Sequence, residues 1–286
     1  MTAYLPTTRS EMHARGWETL DVILVSGDAY IDAPQIGTAI IGRMLEAAGY
    51  RVGVIAQPDT ESPADITRLG EPALFWGVTA GSVDSMVANY TALKKKRRSD
   101  DYTPGGHNTR RPDRASIVYS NLIRRYFKPT APIVLGGLEA SLRRVAHYDY
   151  WSDRVRRSLL FDAKADLLVY GMGERTVREI ASRLREGSTV SGIRGTCEIA
   201  KETPAGYLIL PSYEDACSDP DAFIRMYKGF YDNTDPVTAK GLAQRHGDRW
   251  LVQHPPPVYE TQQELDAWSA LPFARDAHPS YRDKGK

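Results

Sequence analysis

Apolar residues fall in short bursts separated by polar, turn-forming stretches. The first burst is Val22-Ile23-Leu24-Val25, ending at Ser26-Gly27. Its length and flanking turn residues predict a buried strand. A polar loop follows, and then Gly37, Ile41, Met44, Leu45 and Ala48 recur at helical spacing. Asp32 or Pro34 can open that helix, and Gly49 can close it in the left-handed conformation. Residues 51–56 read as a second strand, which completes a βαβ unit.

The pattern repeats. Residues 74–79 predict a third strand, and Ser82 is placed to cap a helix whose apolar side is Val83, Met86, Val87, Tyr90 and Leu93. A helix is expected over 115–126, with Val118, Leu122 and Ile123 inward. Residues 132–135 and 166–170 predict the fourth and fifth strands. The helix after the fifth carries Val177, Ile180, Ala181 and Leu184 and stops at Gly187. This alternation predicts an α/β fold: a doubly wound, mostly parallel five-stranded sheet of Rossmann-like form. It spans residues 15–190, after an N-terminal arm over 1–14.

From 191 to 254 the pattern changes to a small α+β extension. Residues 193–199 and 206–210 read as a hairpin pair. A helix over 219–231 puts Phe223, Met226, Tyr227 and Phe230 on one side, and 250–253 is a further strand. Residues 255–286 read as an irregular C-terminal tail, opened by an extended Pro255-Pro256-Pro257 and lacking any closing element at Arg282-Asp283-Lys284-Gly285-Lys286.

A chain of 286 residues with 42% apolar and 26% charged positions can bury a core without disulfides. Nothing in it reads as a membrane span or a signal peptide. Cys197 and Cys217 match no metal spacing and read as free thiols of a reducing cytoplasm. Net charge is +1, so nucleic acid is not indicated by the overall field. The charge is uneven, however: residues 94–114 hold eight basic and three acidic side chains. Lys94 to Arg98 suit a helix C-terminus. Arg110, Arg111 and Arg114, in a long loop, point to a ligand loop for phosphate, RNA backbone or an acidic substrate, or to an interdomain contact. The six histidines form no metal motif and read as surface or loop residues, with His278 before Pro279 the first to test for a role. The aromatic and arginine-rich stretch 143–154 reads as a packed crossover, with an interface anchor as the alternative.

Every strand end is decorated with small or acidic residues. The candidate binding residues are Gly27 and Asp28, Gly81 and Ser82, Gly136, Gly137, Glu139 and Ser141, and Gly171, Gly173 and Glu174. One such glycine serves only a tight turn. Four such turns on one sheet edge favour a ligand or interdomain site, because glycine lets backbone approach closely and helix N-termini favour anions. The dinucleotide fingerprint, the phosphate-binding loop and the nucleophile elbow are all absent, so no catalytic or metal residue is assigned.

Several segments carry a specific resemblance. They are Leu5-Pro6-Thr7-Thr8, Gly27-Asp28-Ala29-Tyr30, Ile55-Ala56-Gln57-Pro58 and Gly136-Gly137-Leu138-Glu139-Ala140-Ser141. Tyr148-Asp149-Tyr150-Trp151, Leu271-Pro272-Phe273 and His278-Pro279 continue it. The chain resembles, over nearly its whole length, the N-terminal region of YgiQ-like radical SAM proteins, a cobalamin-binding-like domain that precedes a radical SAM core. The resemblance implies a 4Fe–4S cluster and S-adenosylmethionine in the longer protein, held through C-x-x-x-C-x-x-C. That triad does not occur in this chain. The expectation is therefore a fragment whose residues 255–286 lead toward an absent radical SAM barrel, and which is inert alone. Cobalamin domains of this type ligate cobalt through D-x-H-x-x-G. The corresponding stretch here is Asp32-Ala33-Pro34-Gln35-Ile36-Gly37, with proline in place of histidine. Cobalamin ligated by that histidine is not expected, and cobalamin held without it stays open. The expected partners are the downstream barrel and an unknown substrate. The competing reading is a complete stand-alone module that binds a small ligand or another protein.

Overall fold

The computed structural model describes residues 4–284. Residues 1–3 of the expected arm, and 285–286 of the expected linker, lie outside the described residues. The five expected parallel strands form. They are β1 (Val22–Ser26), β2 (Val52–Ala56), β3 (Phe75–Thr79), β4 (Ile133–Gly136) and β5 (Leu167–Val169). Their order is β2-β1-β3-β4-β5, with every neighbour parallel. The order reverses at β1, because β2 lies on one side of it and β3 on the other.

The sheet does not stop at five. β6 (Thr196–Ala200), β7 (Leu208–Leu210), β8 (Leu242–His246) and β9 (Arg249–Gln253) continue it in the order β5-β6-β9-β8-β7. The expected hairpin between β6 and β7 is not formed. β6 pairs antiparallel with β5 and β9, and β7 runs parallel to β8. The apolar pattern identified both strands but not their partners.

Successive residues of β1 enter two different cores. Ile23 and Val25 join Trp76, Val78 and Leu135 on one face, and Val22 and Leu24 join Val54, Phe75 and Val134 on the other. A strand covered on both faces needs no polar alternation, which is why β1 reads as a continuous apolar run. Each such side chain contributes roughly 1.5–3 kcal/mol by leaving water.

α1 (Gly37–Ala47) and α2 (Glu174–Arg185) cover the second face, and α3 (Ala115–Tyr126) covers the first. Gly49 closes α1 at φ 81°, as expected. Neither Asp32 nor Pro34 opens that helix, since its N-cap is Ile36 with no side-chain bond. Asp32 is instead buried against Arg43 of α1. The helix expected after Ser82 shrinks to Ser85–Asn89 and is capped by Asp84, whose carboxylate accepts from Met86 N at 2.9 Å. Val87 and Leu93, placed on its inner side by periodicity, are exposed. Lys94 to Arg98 therefore lie in an irregular loop and not on a helix terminus.

The tail is ordered. It carries a helix (Gln262–Ser269), a two-residue strand (Asp276–Ala277) paired with Ile31–Asp32, and a 3-10 turn (Pro279–Lys284). Trp268 and Phe273 enter the second core. Among the described residues, no helix is long and apolar enough to cross a membrane.

Candidate functional site

A cleft of about 370 Å³ opens at the carboxyl ends of β1, β3, β4 and β5. It lies where strand order reverses, the position at which open α/β sheets take ligands. Its floor is apolar: Leu24, Phe75, Val134 and Val169 from the sheet, with Ile41 and Val177 from α1 and α2. Its rim is the set of strand-end turns. Asp28, Gly81, Ser82, Gly136, Gly137, Gly171, Gly173 and Glu174 all line it. The fold thus brings together eight of the eleven residues chosen from sequence.

The other three stand behind the rim. Gly27 closes the gap between β1 and β3, where a Cβ would lie 2.1 Å from the Ala80 carbonyl oxygen. Glu139 is buried and accepts from Ser85 N at 2.9 Å and Ser116 N at 3.1 Å, so its carboxylate ties two helix starts together. Ser141 Oγ accepts from Gly171 N at 3.3 Å and joins two rim turns.

Asp28 is the most heavily engaged rim residue. One carboxylate oxygen accepts from Ser82 N at 2.6 Å, and the other lies 2.5 Å from Arg111. Gly81 makes this approach possible. Its φ is 109°, and a Cβ there would lie 2.1 Å from the Asp28 carboxylate. Arg111 has no exposed side-chain surface and also reaches Asp100 at 3.5 Å and the Gly27 carbonyl at 3.1 Å. Burial, with the nearby Asp100 charge, holds Asp28 above the usual carboxylate range despite Arg111. The sequence singles out Arg110, Arg111 and Arg114 together as a ligand loop or interdomain contact, but not Arg111 as the buried partner of Asp28. Composition does not show which member of a run turns inward.

Glu174 opens α2 at the cleft. It is only 8% exposed, and its Oε2 has no hydrogen-bond partner. Burial raises its pKa, its own backbone N–H lowers it, and nearby Glu260 adds to the rise. Its unpartnered carboxylate oxygen makes Glu174 a candidate hydrogen-bonding group beside an apolar floor.

Among the described residues, no histidine lines the cleft. Three histidines expected at the surface are buried. His246 stacks between Phe161 and Tyr213, at 4.6 and 5.4 Å between ring centroids. His254 bridges Glu198 at 2.8 Å and the Tyr207 hydroxyl at 2.7 Å. His278 packs on Tyr30 and faces Glu11 at 3.4 Å, which anchors the tail to the N-terminal segment. Burial pushes the Glu11 carboxyl up, but hydrogen bonds from His278 and Thr7 prevail and hold it at about 2. Stretch 143–154 runs into a small hairpin (His147–Asp149 with Arg154–Arg156), in which buried Asp149 pairs with Arg114 and Arg143.

The donor set does not fit a 4Fe–4S cluster. Cys197 is buried, Cys217 is exposed, and both are free thiols. Among the described residues, no three His, Cys, Asp or Glu side chains are grouped to hold a metal. Imidazole ligation of cobalamin does not fit either. Pro34 offers no donor, and Asp32 is occupied by Arg43, the Tyr30 hydroxyl and Ala274 N. The apolar floor does suit a ligand with an apolar body.

The family model described as radical SAM N-terminal matches residues 4–286. A UPF0313 protein of Fusobacterium nucleatum is 51% identical over 283 residues, covering 99% of this chain and 50% of that protein. A UPF0313 protein of Thermotoga maritima is 55% identical over 286 residues, with the same coverage. The chain spans about half the length of the curated relatives it matches. Among solved structures, the radical S-adenosylmethionine methyltransferase TsrM of Kitasatospora setae, with cobalamin and a 4Fe–4S cluster bound, aligns at TM-score 0.43. The identity is 21%, over 63% of this chain and 27% of that one.

Proposed function

The chain belongs to the radical SAM N-terminal family, and from that premise we propose that its strand-end cleft binds a small ligand and presents it to a downstream radical SAM core. The chain is the accessory, N-terminal half. The core would supply the 4Fe–4S cluster and the cleavage of S-adenosylmethionine. The observation that carries the reading is the convergence of four strand-end turns on one apolar cleft at the strand-order reversal. Leu138, Leu142 and Met172 are exposed beside those turns, which supports an apolar covering partner over the same edge.

Asp28, Gly81, Ser82, Gly136, Gly137, Gly171, Gly173 and Glu174 are the proposed contacts. Gly27, Glu139 and Ser141 hold that rim in shape. A corrinoid bound here would have no imidazole from this chain on its lower face. What the chain contributes is an apolar floor, backbone at the glycine turns and the Glu174 carboxyl. The stretches 15–190, 191–254 and 255–286 are proposed as the ligand domain, its extension and a packed connector toward the core. Two free thiols support a reducing, cytoplasmic setting.

The test is a titration of the chain with hydroxocobalamin and, separately, with a panel of apolar-bodied metabolites, followed by amide chemical shifts. Ligands of this site should move Gly81, Gly137 and Gly173 together, and Ile41→Trp, which fills the floor, should abolish the shifts. Shifts that survive Ile41→Trp would place the binding elsewhere. No response to any ligand would remove the cleft as a binding site.

A further inference from the structure

A second cavity, of about 400 Å³, lies at the sheet's outer edge beyond β2. It is assembled from five separate parts of the chain. Thr7 and Thr8 come from the N-terminal segment, Gln57 from the end of β2, Arg110 from the basic insert, and Tyr281 and Lys284 from the tail. Arg68 and Asp65, from the short helix Ala64–Thr67 and its C-cap, complete it. Its charged lining is three cations (Arg68, Arg110 and Lys284) against one anion, Asp65, a net of +2.

Asp65 cannot neutralise the group. It lies 3.2 Å from Arg68 and 3.7 Å from Arg110, and also accepts from Asp59 N at 2.8 Å. Arg68 keeps a buried Nε with no hydrogen-bond partner. Arg110 is held over the cavity by a bond to the Gln57 carbonyl at 3.1 Å. That carbonyl belongs to a residue in the left-handed region, at φ 45°. Gln57 is kept there by its side chain, which donates to Gly27 O at 3.0 Å and Thr103 Oγ1 at 2.7 Å. Strain maintained by a built hydrogen-bond set is a feature of binding sites. The Tyr281 hydroxyl accepts from Tyr30 N at 3.1 Å and so retains its own proton to donate.

We propose that this cavity binds a phosphate monoester, with its dianion between Arg68, Arg110 and Lys284 and its organic body in the remaining space. The net +2 lining matches a dianion. Two guanidiniums, an ammonium and a phenol offer donors for three oxygens, more than a carboxylate can use. The volume falls within the roughly 300–1,000 Å³ of small-molecule sites, so the ligand is larger than the bare ion. The site also accounts for Arg110, a basic-insert residue that the strand-end cleft does not use.

The test is calorimetric titration of the full chain, at low and moderate salt, with adenosine 5′-monophosphate, ribose 5-phosphate, inorganic phosphate and succinate. Both esters should bind more tightly than phosphate, and succinate should bind least. Arg68→Gln and Arg110→Gln should each weaken ester binding about tenfold or more, because each removes a charge-assisted bond. Lys284→Ala, at an exposed position, should weaken it without any effect on folding, and added salt should weaken it further. The proposal is overturned by no saturable binding of either ester at millimolar concentration. It is equally overturned by binding that all three variants leave unchanged, or by a preference for succinate.

Discussion

Replacing Arg111 with methionine leaves side-chain volume nearly intact and removes one buried charge. In the native protein that guanidinium lies 2.5 Å from Asp28 and 3.5 Å from Asp100, with no exposed surface. Its loss strands two carboxylates whose side chains are 5% and 3% exposed. Removing one partner of a buried pair costs about 3–5 kcal/mol, because the remaining charge has no compensation. Both carboxylates keep other bonds, Asp28 to Ser82 N and Asp100 to Thr103 Oγ1 and Tyr102 N. We therefore expect the middle of that range, about 4 kcal/mol at pH 7, a large part of a domain's total of roughly 5–15 kcal/mol. Urea unfolding followed by far-ultraviolet circular dichroism measures it. The deficit should shrink as pH falls. Without Arg111 the folded-state pKa of Asp28 rises further above its unfolded value, so the variant binds more protons when folded and gains stability on acidification. Adding Asp28→Asn to Arg111→Met should recover at least about 1 kcal/mol relative to the sum of the single effects. A loss below about 1 kcal/mol that does not change with pH would refute the claim that Arg111 holds the rim together electrostatically.

Other expectations follow from single contacts. Gly81→Ala combines a left-handed φ with a clash against Asp28 and should cost about 2–4 kcal/mol in thermal unfolding. Gly49→Ala, at φ 81° with open space around it, should cost only about 1 kcal/mol, and equal losses at the two sites would contradict this account. His246 is buried with both ring nitrogens unpartnered, and burial, reinforced by Arg157, holds it at about 4. The unfolded chain therefore takes up its proton first, and stability falls as pH drops from 6.5 toward about 4. His246→Phe should raise stability by about 1 kcal/mol at pH 7 and by more at pH 5, and a gain that does not grow on acidification would rule this out. Burial pushes the Cys197 thiol up to about 12, whereas Cys217 is exposed. Iodoacetamide should therefore modify only Cys217 in the native protein and both thiols in urea, as read by mass spectrometry.

Much of this architecture was legible because strand and helix periods differ. Leu24 and Val25 sit in a short apolar run, and Ile41, Met44 and Leu45 recur along a helix, so β1, α1 and their order could be read directly. The cleft was legible for a related reason. In a parallel sheet all carboxyl ends share one edge, so Asp28, Ser82, Gly137 and Glu174 had to converge. Contacts between distant segments were not legible. Nothing local at Thr196 or Leu208 marks the first as the neighbour of β5 and the second as the neighbour of β8. The tail read as irregular because its order comes from partners far away in sequence. Ala277 pairs with Ile31, and His278 packs on Tyr30. Arg111 and Arg110, adjacent in a basic run, serve neighbouring strand ends: Arg111 turns in at Gly27 and Asp28 after β1, and Arg110 reaches the Gln57 carbonyl after β2. Only the fold separates the buried staple from the cavity cation.

The central claim is that this chain shapes a ligand cleft and leaves the cluster chemistry to the downstream half. Its most direct test is anaerobic reconstitution with iron and sulfide of two proteins: this chain, and the full-length relative of which it matches half. Bound iron and the reduced-cluster paramagnetic resonance signal are then measured after desalting. A 4Fe–4S signal is expected in the full-length protein and none in this chain, whose Cys197 is sealed in the core and whose Cys217 is exposed. A stoichiometric cluster on this chain alone would contradict the central claim.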